Sequence, residues 1–238
     1  MTSKEAIEAR TSVRKYLSDE IREAARMHLN ECIEKYNRIS GLHIQMMKTN
    51  INLFNPPFSG VKNFFALVGK KTDPDFYEKA GYYGESLVLE AVKNELGTCW
   101  VTETFNRKSC FCEMNMGESL CCVITFGQKP SKQGLLAKVM SKGVVSKPKP
   151  IEEMYKSDVV NPPAWFISGM KMVQKAPSSG NRHAVMFSYT NGKASAYVND
   201  PSGDYPIDLG IAKLHFQIGA GSGEWAWGNN AEFTYYGR

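Results

Sequence analysis

Gly84–Trp100 reads GESLVLEAVKNELGTCW, and Gly210–Trp225 reads GIAKLHFQIGAGSGEW. Each stretch opens on glycine, carries apolar residues at helical spacing, breaks on another glycine and reaches tryptophan. The interval from first glycine to tryptophan is 16 positions in one and 15 in the other. A strand-like run follows each. We read them as the centres of two diverged copies of one α+β unit, joined near 127–150. A single such unit leaves one apolar face bare, so the copies are expected to pack on each other. The expected fold is α+β, with mixed, mainly antiparallel sheets flanked by helices and an internal duplication forming a pseudo-dimer. Residues 1–130 form the first half, 131–150 a Lys-rich connector and 151–238 the second half, packed as one compact unit.

Local signals fill in each copy. Thr2 with Glu5 three residues on is a capping box, which opens a short helix to about Ala9. A longer helix is expected from about Glu20 to Tyr36, with Ile21, Ala25, His28, Cys32 and Tyr36 on one face. Pro74 starts a helix that ends before Gly97, and Pro162-Pro163 starts another that runs to about Gln174. The last helix spans roughly 206–219. Strands are expected over 41–47, 62–69, 120–126, 184–189 and 194–198, the last two joined by a turn at Asn191-Gly192. The run Gly219–Gly223 follows a helix rather than a strand and lacks a following Lys-Ser/Thr. It therefore reads as a flexible loop, not a phosphate loop.

Composition removes several classes. The chain has 238 residues, 42% hydrophobic and 22% charged, which is globular rather than disordered. The longest apolar runs, Phe64–Val68 and Leu120–Ile124, fall far short of the roughly 20 residues a membrane span needs. The opening MTSKEAIEAR has no apolar signal region, and the six cysteines sit mostly among apolar neighbours. A cytoplasmic protein with reduced thiols is expected. Cys110-Phe-Cys112 has the wrong gap for a metal or redox pair and only four histidines are present, so no metal site is expected. The net charge is +5, with six lysines between Lys129 and Lys149. These read as a solvated connector or as contact with an anion. The charge is small and the aromatics do not interleave with it, which argues against nucleic acid as a partner.

Two segments carry chemistry. In Arg10–Tyr16, RTSVRKY, the residues Arg10, Ser12 and Arg14 alternate, so an extended chain puts them on one side. Two guanidiniums and a hydroxyl make a phosphate clamp, with Val13 and Tyr16 anchoring the other side. The plainer alternative is a solvated Arg-rich turn. In Gln174–His183, QKAPSSGNRH, the Pro, Ser, Gly and Asn suit a turn. Their hydroxyls and amide also suit a ligand edge.

Taken together, RTSVRKY, APSSGNRH and ELGTCW resemble the R-x-S-x-R, A-P-S-x-x-N and G-L-G-T-x-W segments of the FMN-dependent nitroreductase family. In that family the flavin lies at a homodimer interface, with the clamp from one subunit and the loop from the other. Here the clamp stands only in the first half and the loop only in the second, which resembles a duplicated branch in which one chain stands for the dimer. The resemblance implies FMN as cofactor, NAD(P)H as hydride donor, and a flat electron-poor acceptor such as a nitroaromatic or quinone. Ping-pong transfer would run through flavin N5, and no side chain would be catalytic in its own right. The alternative it leaves is a flavin-binding or flavin-less homologue without turnover. The implied cofactor residues are Arg10, Ser12, Arg14, Pro177, Ser178, Ser179, Asn181, His183, Trp100, Thr102 and Glu103, with Lys147 or Lys149 from the KPKPIEE run. His183 stands where the family has Gln, and Thr102-Glu103 where it has Gly-Gly. The chain is expected as a monomeric pseudo-dimer or a homodimer. Phe54, Phe58, Trp225 and Trp227 are candidate acceptor walls, with core packing the plainer reading.

Overall fold

The computed structural model describes residues 1–49, 53–130, 149–199 and 205–237. Thr2 closes the capping box on α1 (Ser3–Ala9): its hydroxyl accepts from Glu5 N at 3.2 Å, and its own N–H donates to the Glu5 carboxylate at 2.7 Å. α1 ends at Arg10, whose backbone is already extended. The chain then runs alongside a sheet edge, where Ser12 bridges Thr98 and Lys15 bridges Ser59. Val13 and Tyr16 are buried, and the Tyr16 hydroxyl donates to the Val13 carbonyl at 2.6 Å.

The first sheet contains β1 (Gln45–Lys48), β2 (Asn63–Lys70), β3 (Gly97–Val101) and β4 (Glu118–Gly127) in the order β1-β2-β4-β3, antiparallel throughout. Helices α2 (Glu23–Ser40) and α3 (Phe76–Lys93) belong to it. The second sheet contains β5 (Tyr155–Ser157), β6 (Met186–Thr190), β7 (Lys193–Tyr197), β8 (Gly223–Trp225) and β9 (Glu232–Tyr235) in the order β5-β6-β7-β9-β8. Only β5, against β6, pairs in parallel. Its helices are α4 (Ala164–Val173) and α5 (Tyr205–Ala220). Asn191 and Gly192 turn the β6–β7 hairpin, both with positive φ, as the tight hairpin turn requires. No described helix is long and apolar enough to cross a membrane.

Several expectations shift. No strand was expected at Gly97–Val101, yet this short run becomes the edge strand β3. α2 buries Ala25, Leu29 and Ile33, which leaves His28, Cys32 and Tyr36 half-buried at its margin instead of in the centre of the stripe. The apolar stripe is therefore rotated from the expected one by the better-packed Leu29–Ile33 row. α5 continues through Gly219 to Ala220 and Gly223 opens β8, so the expected Gly-rich loop shrinks to two residues. Most of the Lys-rich connector, 131–148, lies outside the described residues.

The two halves meet where α3 crosses α5. Gly81 and Gly210 make this crossing close. A Cβ on Gly81 would lie 2.0 Å from the Ile207 carbonyl oxygen, and one on Gly210 would lie 1.9 Å from that of Glu78. Ile207 and Ile211 of α5 enter the core of the first sheet, together with Ala176. Backbone against backbone leaves no flexible atom to yield, so added volume must separate the helices. Gly210→Ala is expected to lower stability by about 1–3 kcal/mol, or more if the helices cannot part, read from urea unfolding. Wild-type stability in that variant would mean that the crossing is looser than described.

Candidate functional site

The α3–α5 crossing leaves a cleft of about 180 Å³ along the seam between the halves. One wall comes from the first half: Ser12 and Arg14 of the extended segment, with Cys99, Trp100 and Thr102 of β3 and its end. The other comes from the second half: Pro177–Gly180 of the loop after α4, and Ile207, Asp208 and Ile211 of α5. The polar lining comprises a guanidinium, four hydroxyls and one carboxylate. Ile207, Ile211, Pro177 and the Trp100 indole provide flat apolar surface.

The Arg14 side chain is exposed and makes no hydrogen bond or ion pair with a described residue. Ser12 hydrogen-bonds the Cys99 thiol, whose proton affinity burial raises. Arg10 ends α1 and, like Ser12 and Arg14, lies near the Cys99 thiol, but it does not line the cleft and only 13% of its side chain remains exposed. Its Nε lies 3.9 Å from Glu85 Oε1 and has no hydrogen-bond partner.

Glu85 is fully buried and was not found by sequence reasoning, because it sits inside the apolar stripe of α3. The Trp100 indole N–H donates to its Oε2 at 2.8 Å, and His215 Nε2 lies 3.0 Å from its Oε1. His215 Nδ1 stands 3.0 Å from the Met172 carbonyl, which can only accept, so that nitrogen carries hydrogen. One buried carboxylate thus ties a cleft-lining indole in the first half to α5 in the second. A second buried pair, Lys213 with Glu78, spans the same seam, and Lys213 also donates to the Ala226 and Gly228 carbonyls at 3.1 and 2.9 Å.

The loop is held by another residue missed in the sequence. Both oxygens of buried Asp208 accept from the Ser179 N–H, at 3.1 and 3.0 Å. A carboxylate in the first turn of α5 was the available signal. The Ser178 hydroxyl accepts from His183 N at 3.0 Å. Gly180, Asn181 and His183 all take positive φ, a conformation that costs non-glycine residues energy and clusters at ligand sites. His183 does not line the cleft but an adjoining small pocket, with Met154, Val185 and Ala212. Burial, with the nearby Lys149 charge, lowers its proton affinity. Asn181, Glu103 and Lys149 do not line the cleft, and Lys147 lies outside the described residues.

A larger cleft of about 360 Å³ is lined by Tyr16, Phe54, Phe58, Lys62 and neighbours, all from the first half. It brings together none of the motif residues except Tyr16, so size alone does not mark the functional site. Phe54 and Phe58 lie there, whereas Trp225 is buried in the second core and Trp227 packs edge-on against Tyr82 at 5.5 Å. None of these four aromatics lines the seam cleft.

This arrangement, two sheets packed through a central helix pair with a cleft at their seam, is a nitroreductase-like fold. The family model described as "Putative TM nitroreductase" matches residues 2–220, and the chain belongs to that family. The crystal structure of a "putative nitroreductase" from Thermotoga maritima is similar over 98% of this chain and 92% of its own, with TM-score 0.68 and 20% identity. A "putative nitroreductase in complex with FMN" from Desulfovibrio desulfuricans covers 68% of this chain and 96% of its own, with TM-score 0.48 and 16% identity. An "FMN-dependent nitroreductase" from Clostridium difficile covers 54% and 88%, with TM-score 0.43 and 16% identity. No curated protein matches the chain.

His183 gives a pH prediction. Its folded form binds a proton less readily than the unfolded chain, so its contribution to stability is complete above about pH 6.5 and declines as pH falls below it. The stability difference between wild type and His183→Gln should shift against wild type between about pH 7 and 5. A difference independent of pH in urea unfolding would refute the burial effect.

Proposed function

We propose that the chain is an FMN-dependent oxidoreductase that holds its cofactor across the seam cleft. One observation carries this: Ser12 and Arg14 share a cleft with Pro177–Gly180, although most of the chain separates the two segments. The donor set fits the group. Unpaired Arg14 offers planar charge-assisted bonds to a phosphate, and Ser12 adds a hydroxyl. Arg10, turned toward Glu85, contributes its charge from behind the cleft. Ser178 and Ser179 offer polar contacts to the ring edge, with Asn181 next to them in the loop. Pro177 and Ile211 offer apolar contact to a ring face, and the main chain from Trp100 to Glu103 offers N–H groups toward N5. Lys149, close enough to His183 to affect its titration, adds positive charge on the loop side.

When bound, the flavin supplies ping-pong hydride transfer at N5 from NAD(P)H to a flat electron-poor acceptor. The chain's own part is to bind, orient and enclose. Asp208 fixes the loop through the Ser179 N–H, and Glu85 fixes Trp100 against the cleft.

We further infer that the two sheets are copies. Their shared order, β1-β2-β4-β3 and β6-β7-β9-β8, supports this, as do α3 and α5 preceding the matching strands. With Gly84 set against Gly210, Tyr82 stands where Asp208 stands. Its ring, packed on Trp227, would fill the counterpart of the cleft. One flavin per chain follows.

Titration of apoprotein with FMN, followed by flavin fluorescence, should saturate at one equivalent. Arg14→Ala should weaken binding about 10–100-fold, as loss of a hydrogen bond to a charged group predicts. NAD(P)H should then bleach the flavin absorbance; flavin binding without bleaching would leave a binder rather than a reductase. Two equivalents would contradict the single site, and unchanged affinity in Arg14→Ala would contradict the clamp.

A further inference from the structure

His28 and Cys32 lie one helical turn apart on α2, and Glu90 of α3 faces them across the seam between the two helices. Their donor atoms converge. His28 Nε2 is 2.9 Å from Glu90 Oε2 and 3.7 Å from Cys32 Sγ, and one atom from each residue falls within a common 4.8 Å. None of the three lines the flavin cleft or the larger one. We propose that His28, Cys32 and Glu90 form a binding site for a divalent transition-metal ion of the zinc class, with a fourth position open to water.

The donor set is the first reason. Zinc takes imidazole nitrogen, thiolate and carboxylate oxygen, and three protein ligands plus a water is a recurrent arrangement. The thiolate disfavours magnesium and calcium, which prefer oxygen alone. Spacing is the second reason. Zinc bonds of about 2.0–2.3 Å in a tetrahedron set an N···S edge of about 3.6 Å and an N···O edge of about 3.4 Å. The N···S edge already has that length. The N···O edge has to open by about 0.5 Å, as expected when a hydrogen-bonded proton gives way to an ion.

The surroundings supply the support a metal ligand needs. Glu90 Oε1 accepts from Lys93 Nζ at 2.7 Å, which fixes the carboxylate and leaves Oε2 turned to His28. Thiolate and carboxylate together balance the charge of a divalent ion. All three residues are half-buried, so an ion reaches them from solvent without opening the core. Sequence spacing missed the site because only the fold brings Glu90 to the His28–Cys32 pair. Bound metal would fasten α2 to α3, the helix that carries Gly81 and Glu85.

The test uses full-length protein treated with a chelator, then titrated with Co²⁺. One equivalent should give a thiolate-to-cobalt charge-transfer band that Zn²⁺ abolishes by displacement. Zn²⁺ at a hundredfold excess over its Kd should raise Tm by about 5–10 °C. Cys32→Ser should remove the band, and His28→Ala should weaken Co²⁺ binding at least about tenfold, both with unchanged circular dichroism. Should Cys32→Ser misfold, Glu90→Gln, which keeps an acceptor for Lys93, should weaken binding in the same way. Absence of the band in wild type overturns the proposal. So does a band that persists undiminished in Cys32→Ser, which would assign the ion to another cysteine.

Discussion

The approach of α3 to α5 is the constraint on which the rest of the molecule depends. Gly81 and Gly210 allow the backbones to touch, and two buried carboxylates on α3, Glu78 and Glu85, reach Lys213 and His215 on α5. A buried pair of this kind is weak evidence for net stability. Removing one partner, however, strands the other and costs about 3–5 kcal/mol. These pairs therefore specify one register of the helices more than they strengthen the contact. Any slip would leave Glu85, Lys213 and His215 buried without partners.

That register determines the cleft. α5 supplies Ile207, Asp208 and Ile211, and β3 follows α3 to supply Trp100. Glu85 connects these levels, since it takes the Trp100 N–H on one oxygen and faces His215 on the other. Asp208 does similar work for the loop, where it compensates backbone that Gly180, Asn181 and His183 hold at positive φ. The cleft is thus built on a rigid helix pair and not on loops alone, which keeps its two walls in fixed relation.

Much of this was legible in the sequence where the signal was local. The capping box at Thr2, the Asn191-Gly192 turn and most helices follow from nearest-neighbour chemistry. The clamp and loop segments each suit a plain turn and stood out only in combination with ELGTCW. Alternation groups Arg10 with Ser12 and Arg14, and all three lie near Cys99, but it gives no sign of Glu85, the buried carboxylate beside which the Arg10 guanidinium is sequestered. Glu85, His215 and Asp208 were not legible. Each is a polar residue inside a helix whose partner lies far away in sequence, and periodicity marks such positions only as apolar faces. β3 was missed because five residues after a helix end carry too little period-2 signal. His28 and Cys32 were assigned to the buried stripe of α2, and the rotation of that stripe leaves them at the margin beside Glu90.

The central claim is that groups from both halves hold one flavin at the seam. A crystal structure of the chain grown with FMN tests it most directly. The account predicts the flavin bounded by Arg14 and Ser12 on one side and by the Pro177–Gly180 loop on the other. Flavin density in the larger cleft beside Tyr16 and Phe58, away from that loop, would contradict it.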